Sequence, residues 1–527
     1  MPREDNRTKI RRDLLVRIAR LLTNGTIEEE IDAIPFDMTN EGWEQVRCCI
    51  QHDRALLRLR LLALMGFEVE GKEDVVRPLG YYAHILMEHV SNMVSREHVF
   101  SQVKEPEAKT EIESSHSSVS LEREANVAVD LTAPLKLNDR FPLHMITEAC
   151  NACEGARFMV TEACQGCVAR PCKTGCPKDA TSIVRGRAYI DYEKCINCGL
   201  CARVCPFHAI VRIPVPCEEV CPVGAIKKGK DGVARIDHRT CILCGKCLKN
   251  CPFGAPQEQS DLFSVVTALR MKRKVIAMLA PAAMAQFPTS PGRLPSALRR
   301  IGFDEVVEVA AAADRVAKEE AQEIVERLST GEAFVATSCC PSWVRAASRL
   351  DGIADHVSHT PSPMVMGARL VKEENPNAFV VFIGPCLAKK QEGKEEEAVD
   401  AVITIEELGA LLVAMEIEVG EEEELPLEET ISSYGRGFGA SSGVSYAVLH
   451  AIDELESEIK IEHRVIDGLS SDSLKEIARW SIDSPESTLV EVMACEGGCV
   501  GGPCAIAHPK TSKKLLMKYA GEVNKQV

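Results

Sequence analysis

Residues 195–206 read CINCGLCARVCP, and residues 241–252 read CILCGKCLKNCP. Each run holds four cysteines in the spacing C-x2-C-x2-C-x3-C and closes on proline. A cubane of iron and sulfide needs four thiolates placed tetrahedrally around it. Three come from the short loop, and the cysteine before proline ligates the other cluster of a pair. A pair of structural zinc sites is the competing reading, but the run suits a single zinc ion poorly. The middle of the chain is therefore expected to fold as small knots whose order comes from metal clusters rather than from a large apolar core.

Working outward, 14 of the 24 cysteines lie between Cys164 and Cys251. A looser run, Cys164-x2-Cys167-x4-Cys172-x3-Cys176-Pro, partners the first bacterial-ferredoxin-like run. Crossing the ligands gives a first site from Cys164, Cys167, Cys172 and Cys205, and a second from Cys176, Cys195, Cys198 and Cys201. Cys241, Cys244 and Cys247 take Cys221, which also precedes proline, as a third site. Cys217 and Cys251 remain, with the upstream pair Cys150-x2-Cys153, and these four form a fourth. The expectation is four 4Fe–4S clusters from sixteen cysteines, one two-cluster unit inserted inside another. Such a row moves electrons one at a time and implies a redox centre at one end and a partner at the other.

Composition bounds the rest. At 527 residues the chain is long enough for about three domains. Its 62 basic and 78 acidic residues leave a formal charge of −16, which argues against nucleic acid or an anionic membrane as partner. Aromatics at 5% make a stacking platform for single strands unsuitable. The opening MPREDNRTKIRRDLL lacks the apolar core of a secretory signal. The longest apolar run, VIAMLAPAAMAQF (275–287), is too short to span a bilayer. A soluble, cytoplasmic, reducing location is expected, where dense cysteine means metal or redox chemistry.

The chain divides into five parts by pattern. Residues 1–100 read as helical, with LLVRIARLL (14–22) and RALLRLRLLALM (54–65) at helical spacing. This region offers no chemistry of its own, and the adjacent pair Cys48–Cys49 reads as structural. Residues 101–140 contain KEPEAKTEIESSHSSVSLEREA (104–125) and read as a polar linker. The cysteine-dense block spans 141–260. From 261 to 510, strand-like runs (274–280, 333–338, 378–385, 401–405) alternate with helical ones (296–302, 316–328), which predicts α/β units with parallel strands. KEEEA (394–398) and EEEEL (421–425) read as solvated faces. Residues 511–527 read as a tail.

Six cysteines fall in three short loops of the α/β part: TSCCPSW (337–343), GPCLAKKQE (384–392) and EVMACEGGCVGGPC (491–504). The first two follow strand-like runs, where α/β folds collect ligands. These loops resemble the signature motifs of the FeFe-hydrogenases, and the resemblance covers residues 141–505. It implies an α/β catalytic domain of the FeFe-hydrogenase fold, with parallel sheets flanked by helices, preceded by an α+β ferredoxin-like cluster domain and the helical region. It also implies an H-cluster, a 4Fe–4S cubane joined through one cysteine to a diiron unit bearing CO, cyanide and azadithiolate. Carried over by motif, Cys340, Cys386, Cys495 and Cys499 would hold the cubane, with Cys499 as the bridge. Cys339 would be the unligated first proton relay. Lys389 would hydrogen-bond a cyanide, and Met493 and Phe438, the latter within GFGASSGV (437–444), would line the diiron pocket. Glu392 matches a glutamate of the second motif.

The resemblance further implies a proton path through Cys339, Glu320, Ser358 and Glu323 to solvent. On spacing alone, Glu320 and Glu323 share a helix face that would ordinarily be solvated. Two departures stand out: Gly384 occupies a position usually held by methionine, and the third motif ends GGPC, adding Cys504. Both resemble the monomeric subgroup called group B, as does the N-terminal region. Cys504 reads as an inert buried thiol or a reversible extra ligand. The implied activity is reversible 2 H⁺ + 2 e⁻ to H2, with electrons carried by ferredoxin or a similar small protein and the diiron unit installed by maturation proteins. An H2 sensor and an iron–sulfur scaffold of the same superfamily are the alternatives.

Overall fold

The computed structural model describes residues 5–40, 43–69, 77–95, 136–138, 140–150, 153, 155–229, 231–457 and 459–521. Nearly all of the expected linker lies outside the described residues.

Three helices dominate the N-terminal region: α1 (Asn6–Asn24), α2 (Ile50–Leu64) and α3 (Leu79–Ser95). The Asp5 carboxylate caps α1 by accepting the Thr8 N–H at 2.8 Å, and Gly25, at φ 80°, ends it in the left-handed conformation. The apolar positions read from the sequence bury Leu14, Leu15, Ile18 and Leu22 on one face of α1. That face joins a core continuous with the α/β part, so the helices are packed onto the rest of the chain rather than standing apart.

The cysteine block is closed by an antiparallel pair, Leu143–Met145 with Pro256–Glu258. Inside it, Arg157–Val160 pairs with Ile210–Ile213, Thr181–Val184 with Arg187–Ile190, and Ile226–Lys228 with Ala234–Ile236. The unit at 157–213 thus sits between Cys150/Cys153 and Cys217, the nesting that the cysteine spacing implies.

The α/β part carries seven strands: β1 (Val275–Leu279), β2 (Glu305–Glu308), β3 (Phe334–Ala336), β4 (Phe379–Gly384), β5 (Ala401–Thr404), β6 (Glu462–Asp467) and β7 (Thr488–Met493). They form two wholly parallel sheets, in the orders β2-β1-β4-β5 and β3-β7-β6. β1, β4, β5 and β7 are buried along their whole length, as expected of strands covered on both faces by helices. The expected tail is corrected in part: residues Pro509–Ala520 form a helix that buries Leu516 and Tyr519, because the KLLMKYA run places apolar side chains on one face.

Helices α4 (Val309–Ser329), α5 (Ala388–Glu395), α6 (Ile405–Ala414) and α7 (Gly443–Glu454) pack on these sheets. A buried charge cluster pins α5 and α6 to the cysteine block. Lys390, wholly enclosed, lies 3.0 Å from Glu407 and donates to the Val402 carbonyl at 2.8 Å. Glu407 also accepts from Ser260 at 2.7 Å, and it completes a capping box with Thr404. Removing one partner of a buried ion pair leaves an uncompensated charge, at a cost of about 3–5 kcal/mol. Lys390→Met should therefore lower the guanidinium midpoint markedly, and Lys390→Met/Glu407→Gln should recover much of the loss. A single variant as stable as wild type would contradict this role.

Candidate metal centre

The three cysteine loops all start where a parallel strand ends. β3 runs into Cys339–Cys340, β4 into Pro385–Cys386, and β7 into Ala494–Cys495. The third loop also follows a strand, which its sequence had not revealed. The strand ends bring the thiols of Cys340, Cys386, Cys495 and Cys499 into mutual electrostatic contact. All four lie deep within the protein, yet none is covered as closely as a core side chain, so they face a gap between the loops. Burial pushes the Cys386 and Cys499 thiols up to about 12, with the neighbouring thiols adding to the shift. Such thiols give up their protons to a bound cation, because metal ligation requires the thiolate. Four sulfur donors around a space fit a cubane. Among the described residues, no three Cys, His, Asp or Glu side chains close on a point as they would around a single ion. The fit rests on the donor set and its shared loops.

The pocket side chains gather at this gap. Met493 and Phe438 share an apolar cluster with Met366, against which Cys339 and Cys340 pack. Met366, which escaped the sequence reading, lies on the helix that Ser362 caps. Lys389 is buried and donates to Glu392 at 2.6 Å, to Ser362 Oγ at 2.8 Å and to the Cys339 carbonyl at 3.4 Å. The GFGASSGV segment is tied to the third loop: the Ser441 N–H donates to Gly497 O at 3.1 Å and the Val500 N–H to Gly439 O at 3.2 Å. Gly498, at φ 84°, has no room for a side chain, since a Cβ there would lie 2.4 Å from Ser441 N. The buried Glu491 accepts the Ser442 and Ser445 N–H groups at 2.8 and 2.7 Å, fixing this segment to β7.

Glu320 and Glu323 do not lie on a solvated face. Glu320 is wholly buried; its Oε1 accepts the Ser338 N–H at 3.2 Å, and its Oε2 makes no hydrogen bond of ordinary geometry. Burial raises its carboxyl to about 7, against the pull of Ser338 and Ser358. The Glu323 Oε2 accepts from Ser358 Oγ at 2.7 Å and Thr360 Oγ1 at 3.0 Å. Its Oε1 accepts the His359 N–H at 2.9 Å and Arg327 Nη1 at 2.8 Å. Burial would raise Glu323, but these donors outweigh it and hold the carboxyl at about 2. Cys339, its thiol pushed up by burial, has Glu320 as the leading charged neighbour. His359 lies 3.1 Å from Glu323 with its side chain 82% exposed, which brings the line to solvent. His359 and Arg327 were not singled out from sequence, because nothing in their spacing marks them.

Sixteen further cysteines fall into four groups. Cys164, Cys167, Cys172 and Cys205 line one small cavity of about 20 Å³, and Cys176, Cys195, Cys198 and Cys201 another of about 20 Å³. Cys221, Cys241 and Cys244 surround Cys247, and Cys150, Cys153 and Cys251 surround Cys217. Burial pushes Cys217 up to about 12, with those three thiols next in effect. Both strict runs curl through left-handed residues at matching positions, Asn197 and Gly199 in one, Leu243 and Gly245 in the other. Asn197 of the second group donates to Ala156 O at 2.9 Å, near Cys153 of the fourth, and Cys244 of the third is a charged neighbour of Cys495. Gly245 lies against Pro503 of the third cysteine loop; a Cβ there would approach the Pro503 ring to 2.4 Å.

The two departures have local explanations. At Gly384 a Cβ would lie 2.7 Å from the Phe382 ring, which fills that space. Cys504 is wholly buried, and its thiol accepts from Arg11 of α1 at 3.5 Å. Cys48 and Cys49 are exposed.

Comparison with known proteins follows the same divisions. Residues 273–503 match the model for the C-terminal domain of the iron only hydrogenase large subunit. Residues 188–211 match a 4Fe-4S binding domain, and 216–255 a 4Fe-4S dicluster domain. Iron hydrogenase 1 of Clostridium pasteurianum is 29% identical over 434 residues, covering 70% of this chain and 74% of the relative. NADP-reducing hydrogenase subunit HndD of Solidesulfovibrio fructosivorans is 30% identical, covering 47% and 53%. The nuclear prelamin A recognition factor of Xenopus laevis is 24% identical, covering 47% and 69%.

The electrostatics of Glu320 predict a pH dependence of stability. Its folded value of about 7 lies above the ordinary 4.5, so its contribution is fully present below about 4.5 and is lost as pH rises through about 7. Over that window wild type should lose up to about 3 kcal/mol relative to Glu320→Gln. Parallel melting temperatures for the two proteins from pH 5 to 8 would contradict this.

Proposed function

We propose that this chain, which carries the C-terminal domain of an iron-only hydrogenase large subunit behind 4Fe–4S domains and is homologous to iron hydrogenases, catalyses the reversible reaction 2 H⁺ + 2 e⁻ to H2. Cys340, Cys386, Cys495 and Cys499 would hold the cubane of an H-cluster, with Cys499 shared with its diiron unit. Bound there, that group would supply a metal site and a base for making or breaking H2. Lys389 offers a cation to an anionic diiron ligand in a water-poor pocket, and it keeps Glu392 as its counter-ion. Met493, Phe438 and Met366 exclude water.

Cys339 exchanges the proton. Its thiol stays protonated in this setting, so it donates inward and is refilled by Glu320, whose value near 7 suits both directions at neutral pH. Ser358 links Glu320 to Glu323 by turning its hydroxyl, and His359 exchanges with solvent. Electrons would reach the centre from the opposite side, through clusters held at the first, second, fourth and third sites. The outer unit exposes Val168, Ile196 and Phe207 around the first two sites, where ferredoxin or a similar small carrier would meet it. Diiron maturation proteins and a cytoplasmic setting complete the reading. Among the described residues, no helix is long and apolar enough to cross a membrane.

The observation that carries the reading is the meeting of four thiols from three strand ends, with a fifth, Cys339, beside Glu320. A hydrogenase-like protein without turnover is the second reading, favoured by the prelamin A recognition factor among the relatives. Hydrogen evolution from reduced ferredoxin by the matured protein separates the two, and turnover at background rate would favour the second. Cys339→Ala should keep its iron while losing turnover by about 10²-fold or more. Wild-type turnover in that variant would refute the relay.

A further inference from the structure

The N-terminal helices take no part in the reaction, yet they send three arginines into one corner of the cysteine block. Arg7 of α1 donates through Nη1 to the carbonyls of Leu248 at 3.0 Å, Lys249 at 2.6 Å and Cys251 at 3.1 Å. Arg60 of α2 donates to Gly254 O at 2.6 Å and Phe253 O at 2.9 Å. Arg47, just ahead of α2, donates to Ala149 O at 2.8 Å and lies 5.3 Å from the Phe253 ring centroid. Each of these carbonyls is within three residues of Cys150 or Cys251, two of the four cysteines of the fourth site. Lys228 adds a fourth cation, donating to Cys153 O. The carboxylates nearby are Glu218, which accepts the Lys228 N–H at 2.6 Å, Asp5 on Arg7 at 2.9 Å, and Glu148, 3.9 Å from His52.

The setting is also dry. Cys150, Cys217 and Cys251 are only 4%, 6% and 7% exposed, whereas Cys198 of the second site is exposed. A cluster that accepts an electron gains one negative charge. Fixed cations close by, in a medium of low dielectric, stabilise that charge, and cluster potentials respond to charge, hydrogen bonding and solvent exposure.

We propose that Arg7, Arg47 and Arg60 are positioning residues that raise the reduction potential of the cluster at Cys150, Cys153, Cys217 and Cys251. The step is a one-electron transfer from the second-site cluster, which is oxidised, to the fourth, which is reduced; no bond is made or broken. This gives the N-terminal helices a redox task, and it rests on the assignment of that fourth cluster under the proposed function.

The test is an EPR-monitored redox titration of the full-length, cluster-loaded protein, with iron counted. In Arg60→Gln the reduction equilibrium of one cluster should fall about tenfold, which is a midpoint about 59 mV lower for one electron, with the other clusters unmoved. Arg60→Lys keeps the charge and should restore the wild-type midpoint. If Arg60→Gln sheds iron, Arg47→Gln reads the same shift while leaving the Phe253 and Gly254 carbonyls bonded. Unmoved midpoints in fully loaded glutamine variants, or the same fall in Arg60→Lys, overturn the proposal. Cys217→Ala distinguishes its failure from failure of the underlying reading. If that variant loses no iron and no EPR component, the fourth cluster itself is misassigned. If it loses one that ignores the arginines, only the tuning fails.

Discussion

Four thiols reach one gap because three parallel strands in two sheets end beside it. β3, β4 and β7 each run straight into a cysteine loop, so the positions of Cys340, Cys386 and Cys495 are inherited from strand register rather than from the loops themselves. Much else follows from keeping that gap intact. Gly498 lets the third loop lie flat on the GFGASSGV segment, and Glu491 ties that segment back to β7. Gly245 lets the nearest ferredoxin-like loop touch Pro503 at the back of the same loop.

This arrangement gives the centre two different sides. Cys339, Glu320, Ser358 and Glu323 lie on the side of α4, the line proposed to carry protons. Cys495 and Cys244 leave it toward the cysteine block, a line of sulfur donors suited to electrons. The two carboxylates of the proton line differ through their surroundings alone. Glu320 is enclosed with one oxygen unpaired and titrates near neutrality, whereas Glu323, gripped by Arg327 and three other donors, stays ionised. Similar side chains three residues apart thus differ in protonation at neutral pH.

The cysteine grouping was legible because metal ligation leaves a spacing that survives without any view of the fold. CxxCxxCxxxCP and the proline after Cys176 and Cys221 pointed to three sets of ligands, and Cys150, Cys153, Cys217 and Cys251 were the ones left over; the same sets lie together in the fold. The buried strands at 274–280, 333–338, 378–385 and 401–405 were legible because parallel strands are apolar throughout. β2, β6 and β7 were not: EVVE and EHRVID lie at sheet edges and carry charges, and TLVEVM is interrupted by Glu491. The terminal helix was missed because its apolar face is short and sits among lysines. His359, Arg327, Met366 and Glu491 were invisible for another reason: their roles arise from neighbours far away in sequence, and no local pattern encodes that. The N-terminal arginines are of the same kind, since only folding brings Arg7, Arg47 and Arg60 to the carbonyls around Cys251.

Infrared spectroscopy of the protein after maturation tests the central claim most directly, because no protein group or simple iron–sulfur cluster absorbs as metal-bound carbon monoxide and cyanide do. The convergence of Cys340, Cys386, Cys495 and Cys499 predicts both sets of bands, and Cys499→Ser should abolish them. Matured wild-type protein with full iron–sulfur loading and no such bands would contradict the account.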